Sequence, residues 1–197
     1  RVPNHIPIAI GCVIFAAAMY LLADSDVNST FWVIAMLILF SRFGHGIVKP
    51  NMGRAALMAV TTDKINQGVG TYNFIRQLGG AFGVSTIAVM IETRTAFHSE
   101  ALTATQTAGN PTSQEFIGKV EHLLSEAGVP SAVQHSGALD YLGKVVYAQA
   151  TTMGFQDAFM ILAVFFILML IPCWILSRAS KRVYRGGEAK AALNKNK

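Results

Sequence analysis

Eighteen consecutive residues, Ile6 to Ala23 (IPIAIGCVIFAAAMYLLA), carry no charge. At 1.5 Å per residue a helix of that length is about 27 Å long, close to the ~30 Å of a bilayer's hydrocarbon core. Lipid offers no hydrogen-bond partner to backbone N–H and C=O groups, so a run of this kind satisfies them by becoming a helix. Three further stretches obey the same logic. Phe31 to Val60 is thirty residues long, carries Arg42, His45, Lys49 and Arg54, and at roughly 45 Å reads as a long, tilted or broken span with Pro50 as its kink. Gly70 to Ile91 contains a single charge, Arg76, and Ala158 to Ser177 contains none between Asp157 and Arg178. The expected fold is an all-α integral membrane protein with four transmembrane helices and a small helical outer loop.

Composition agrees and removes other classes. Apolar residues make up 52% of the 197 and charged residues only 14%, too few charges for an ordinary soluble domain or a disordered chain. The formal net charge is +5, but seven of the sixteen Lys and Arg fall in residues 178–197 beside one acid, Glu188. A basic cluster directly after an apolar span marks a cytoplasmic membrane flank rather than a nucleic-acid-binding face, and no nucleic-acid partner is expected. Counting back through four spans puts both ends and the connection Thr61 to Val69 inside, with Asp24 to Thr30 and residues 92–157 outside. The outer segment has seven acids against Arg94, Lys119 and Lys144, which fits that orientation. The expected organisation is three spans over 1–91 (about 6–23, 31–60 and 70–91), an extracytoplasmic helical loop over 92–157, a last span over 158–177, and a basic cytoplasmic tail over 178–197. The chain starts at Arg1 with no signal-peptide pattern before the first span, and it reads as a piece of a longer protein.

Within the outer loop, Thr112 or Ser113 is placed to cap a helix in which Phe116, Ile117, Val120, Leu123 and Leu124 recur at helical spacing, ended by Gly128 and Pro130. A second helical run is expected from Ser131 to about Tyr147. His98, His122 and His135 match no metal-ligand spacing and read as solvated surface residues. Cys12 and Cys173 both sit in apolar runs, which gives neither a disulfide framework nor a CxxC site. No nucleophile elbow, zinc-protease or phosphate-loop motif is present in the sequence, so the expectation is no enzyme, no metal and no cofactor.

Two constellations carry candidate chemistry. Arg42 and His45 lie near the middle of the second span, where an ionisable group costs at least ~2.5 kcal/mol and has to face a cavity or a partner. They read as a substrate- or proton-pathway pair, or as polar contacts that lock packing; Lys49 and Arg54 can snorkel to the inner surface. In the third span Asn73, Arg76, Gly80 and Gly83 share one helix face, and Gly79 with Gly83 forms GxxxG, which permits close helix approach. The glycines read as packing residues, and Arg76 as either a pathway residue or a snorkelling one. Trp174 and Tyr184 read as interfacial anchors.

The run Gly70-Thr-Tyr-Asn73-Phe-Ile-Arg76-Gln-Leu-Gly79-Gly80-Ala-Phe-Gly83, followed by a long outer loop, one last span and a basic tail, resembles the C-terminal end of the fourteen-span drug:proton antiporters of the major facilitator superfamily, the EmrB/QacA type. Ser41-Arg42-Phe43-Gly44-His45-Gly46 before Pro50 looks like the Arg-Gly-rich span that precedes it, and Arg1 to Asn4 like the tail of a cytoplasmic loop element. The resemblance covers Arg1 to about Arg178. It implies proton-driven export of hydrophobic or amphipathic compounds from the bacterial inner membrane, with the bilayer, the missing N-terminal spans, a hydrophobic small-molecule substrate and a periplasmic adaptor as partners. The family's acidic coupling residues lie mostly outside this stretch, and no acid falls within these four spans. The same architecture would serve an exporter of a specific metabolite, lipid or siderophore, and a stand-alone four-span subunit without transport activity is the reading from another class.

Overall fold

A computed structural model describes residues 5–26, 28–58, 60–107, 109–175 and 177. Helix α1 spans His5–Ala23, α2 Phe31–Met58, α3 Ile65–Thr105, α4 Pro111–Glu126 and α5 Ser131–Leu168, with a 3-10 turn at Thr62–Lys64 before α3. There is no strand among the described residues. Among the described residues four helices are long and apolar enough to cross a membrane: α1, α2, α3 and the stretch Ser131–Ile175 that contains α5. The expected all-α membrane fold is what the chain adopts. The basic tail from 178, Tyr184 and the Arg1 to Asn4 element lie outside the described residues.

The breaks between helices have local causes. After α1, the Asn28 N–H donates to the Asp26 carboxylate at 2.9 Å, an Asx turn. At α4 the cap is Asn110 rather than Thr112 or Ser113: its side-chain oxygen accepts from the backbone N–H groups of those two residues, and Pro111 occupies the first helical position, where its missing N–H costs nothing. Helix α4 ends in a Schellman arrangement, in which the Val129 N–H reaches the Leu124 carbonyl and the Gly128 N–H that of Ser125. Gly128 takes φ +79° there, a conformation that favours glycine.

The helices run further than the apolar runs. Helix α3 continues past Ile91 to Thr105, 41 residues in all, or about 61 Å; α5 joins Ser131 to the last apolar stretch without interruption as far as Leu168. Helix α2 passes through Pro50 without ending, and Asn51 Nδ2 donates to the Ile47 carbonyl at 2.7 Å one turn back. Polarity changes along α3 and α5, but no residue from Glu92 to Thr105 breaks a helix.

Residues cluster into two compact units. In the first, formed by residues 1–24, 29–82 and 159–197, Met19, Leu22 and Ala163 are buried, with Phe15, Ile34, Leu37, Phe159 and Leu162 packed around them. In the second, residues 25–28 and 83–158, α4 lies against the start of α5. Phe116 stacks on Tyr141 at 6.0 Å and 6°, Leu124 reaches the Cα side of Gly137, and His135 pairs with Glu121 at 2.6 Å.

Candidate functional site

Helices α1 and α2 meet backbone to backbone at Gly11 and Gly44. A Cβ on Gly44 would stand 2.8 Å from the Phe15 nitrogen and 3.0 Å from the Gly11 carbonyl oxygen; one on Gly11 would stand 2.9 Å from the Gly44 oxygen. Ser41 and Gly44 are the buried residues of α2 and turn this face to α1. Arg42, one position on, is consequently exposed and makes no ion pair among the described residues. His45 is exposed as well, with its ring edge-on to Phe15 at 6.1 Å. The chain brings Arg42 and His45 to one region of α2 but does not bury either.

On α3, Asn73 is half-buried while Arg76, Gly79, Gly80 and Gly83 are exposed. A Cβ on any of these three glycines would meet nothing within 4 Å. The close glycine approaches among the described residues are elsewhere: Gly11 with Gly44, Gly53 facing the Tyr72 ring, Gly68 beside Val60, Gly137 beside Leu124 and Gly154 against α3. None of the most apolar window of α3 is buried, and Phe74, Phe82 and Val84 lie open on it.

The second unit holds a charged junction that the sequence reading left as surface. Arg94 Nε donates to Asp157 Oδ2 at 2.6 Å, and His98 Nε2 lies 2.8 Å from the same oxygen. The His98 side chain is only 13% exposed, so the expectation of a solvated histidine is corrected for this one; His122 and His135 are indeed open, at 73% and 68%. Ile91, Arg94, Thr95 and His98 form one stripe of α3, set against Gly154 and Asp157 of α5. Both sets follow three-and-four spacing, a signal the sequence contained but which needs the pairing of the two helices to be seen. Gly154 makes the approach possible: a Cβ there would fall 2.5 Å from Thr95 Oγ1 and 3.1 Å from the Ile91 carbonyl. Arg94 also lies over the Phe97 ring at 5.1 Å.

Partial burial pushes the Asp157 carboxyl upward, but hydrogen bonds from His98 and Arg94, with the charges of both, outweigh it and hold the group below its ordinary value of 3.8. A depressed carboxylate stabilises the folded state at every pH above its unfolded value and loses that contribution as pH falls through the folded one. The stability difference between wild type and Asp157→Asn should therefore stay constant from pH 7 to pH 5 and shrink below about pH 4, as measured by thermal unfolding in detergent. A difference that persists undiminished to pH 3 would mean the carboxylate charge contributes nothing.

No family model matches the chain, and no solved structure matches it. Two curated relatives do. An uncharacterised MFS-type transporter, YhcA of Bacillus subtilis (strain 168), is 23% identical over 170 residues, covering 84% of this chain and 31% of the relative. The multidrug export protein EmrB of Haemophilus influenzae is 25% identical over 175 residues, covering 88% of this chain and 33% of the relative. The chain spans about a third of the length of each. With four membrane-length helices in place, the resemblance carried by the Asn73 to Gly83 run holds at the level of the superfamily: over most of its length this multi-pass membrane chain is similar to the major-facilitator-type transporters.

Proposed function

We propose that the chain is the C-terminal four-span part of a proton-driven multidrug efflux transporter that exports hydrophobic or amphipathic compounds by alternating access. The observation that carries this is the similarity to the multidrug export protein over 88% of the chain. It is supported by the open surface of α3: a helix bearing Asn73, Arg76 and three uncovered glycines suits a position against further helices of the same polypeptide, where alternating access places its moving interface. In this reading Arg42, His45, Asn73 and Arg76 line the substrate or proton pathway, Gly79, Gly80 and Gly83 seat the remaining spans, the protein sits in the bacterial inner membrane, and the C-terminus is cytoplasmic.

The test is resistance. A complete reading frame containing this chain, expressed in a bacterium stripped of its own drug pumps, should raise resistance to several lipophilic cations, and a protonophore should abolish the effect. Gly80→Leu should remove resistance while leaving the 197-residue chain itself as abundant as before, because no described residue comes within 4 Å of a Cβ at that position. Resistance that survives Gly80→Leu would take the glycine face out of the transport interface, and no resistance to any compound would refute multidrug export.

A further inference from the structure

Within the first unit, helix α1 and the helical segment leading to Ile175 run side by side in opposite directions. Leu22 and Met19 pack with Ala163, Phe159 and Leu162, and the Phe15 and Phe166 rings stand 4.2 Å apart. Beyond that ring pair, toward the start of α1, both helices line a groove of about 540 Å³. Its wall is apolar from Val13 and Leu170 through Ile10 and Trp174, and it finishes at His5 and Ser177. The wall is also open: Ile10, Val13 and Trp174 are 50%, 52% and 56% exposed. From His5 to Ile14 a helix rises about 14 Å, close to the ~15 Å of hydrocarbon in one leaflet, half of a ~30 Å core. Trp174, one turn short of Ser177, stands at the depth that indole rings favour beneath the headgroups.

Charge distinguishes the two ends of this groove. No acid occurs in residues 1–23 or 158–187. Arg178 follows Ser177 directly, Lys181, Arg182 and Arg185 come within the next seven positions, and Arg1 precedes His5 by four. We propose that the groove binds an anionic glycerophospholipid, with one acyl chain along the apolar wall and the phosphodiester at the His5–Ser177 end. Both halves of the ligand are selected. A lipophilic compound or a further apolar span would cover the wall but bring no anion to a cation-rich, acid-free end. A zwitterionic lipid carries its own cation beside the phosphate and gains little there. A headgroup of net negative charge gains from each neighbouring Lys or Arg, roughly fivefold in binding per residue near the surface. The site depends on the spans and not on export, so failure of the resistance assay would leave it standing.

The probe is phosphatidylglycerol with a photoreactive diazirine on one acyl chain, in phosphatidylcholine liposomes holding the protein expressed from the complete reading frame that contains this chain. Both leaflets have one composition, so the readout does not depend on which end faces the cytoplasm. Peptide mapping should place the adduct on residues 9–14 or 170–174. Unlabelled phosphatidylglycerol should compete roughly tenfold better than phosphatidylcholine, or more. Ala9→Trp, which fills the middle of the groove, should remove the label there. Arg178→Gln, Lys181→Gln, Arg182→Gln and Arg185→Gln together should bring the two lipids near parity. Label confined to other faces of the protein, as when another span covers the groove, overturns the site. Equal competition by the two lipids, undiminished label in Ala9→Trp, or a full preference surviving the four Gln substitutions does the same. Should a variant fail to accumulate, the adduct map and the competition in wild type decide between these outcomes.

Discussion

Gly44→Leu is expected to leave the protein nearly undetectable in membranes, whereas Gly46→Leu, two residues along the same helix, should accumulate normally. Both changes replace glycine by a strong helix former, so intrinsic helix propensity favours each by about 1 kcal/mol. What separates them is space. At Gly44 the new Cβ meets two backbone atoms, the Phe15 nitrogen and the Gly11 carbonyl oxygen, at 2.8 and 3.0 Å, while at Gly46 it meets nothing within 4 Å. A flexible side chain could swing away, but backbone atoms in a helix move only with the helix. Helices α1 and α2 would have to part along the face that also seats Met19 and Leu22, two buried residues of the first unit. Overpacking costs ~1–3 kcal/mol even where neighbours adapt, and more where they cannot. Native stabilities of ~5–15 kcal/mol leave little room for that. Quantitative immunoblotting of the membrane fraction, with thermal unfolding in detergent for whatever accumulates, checks the pair; equal abundance of the two variants would show that the Gly11–Gly44 approach is dispensable.

Sequence alone anticipated the four membrane-length helices, because long apolar runs have one solution in lipid. It also located the α4–α5 turn, since Gly128 and Pro130 are strong punctuation. It missed the lengths of α3 and α5 for a physical reason. The end of an apolar run marks where a helix can meet water, not where its hydrogen bonding stops, and Glu92 to Thr105 contains neither Gly nor Pro. The first real stop is Gly109-Asn110-Pro111, where Asn110 starts α4. The candidate residues divide along similar lines. Arg42, His45, Asn73 and Arg76 stood out as polar groups in apolar runs, which composition reveals. Arg94, His98 and Asp157 looked like ordinary loop polarity, because their meeting depends on pairing between distant helices.

At the junction of α3 with α5, shape should matter more than charge. Gly154→Leu sets a Cβ 2.5 Å from Thr95 Oγ1 and 3.1 Å from both the Ile91 carbonyl and the Thr95 nitrogen. Thr95 is itself 5% exposed, so its hydroxyl has nowhere to swing, and the remaining two atoms are backbone. The expected cost is ~3 kcal/mol or more. Asp157→Asn keeps the volume and an oxygen able to accept from Arg94 or His98, and removes only the charge. Arg94 and Asp157 are 41% and 31% exposed, so solvent screens their attraction, and the expected loss is about 1 kcal/mol. Asp157→Ala leaves Arg94 free to turn to solvent but strands the His98 ring, which is 13% exposed, beside a missing partner; an intermediate loss of ~1–3 kcal/mol follows. Thermal unfolding of the three variants at neutral pH should therefore rank Gly154→Leu as most damaging, then Asp157→Ala, then Asp157→Asn. If Asp157→Asn proves as damaging as Gly154→Leu, the charge on Asp157, and not the missing Cβ of Gly154, is what holds α3 to α5.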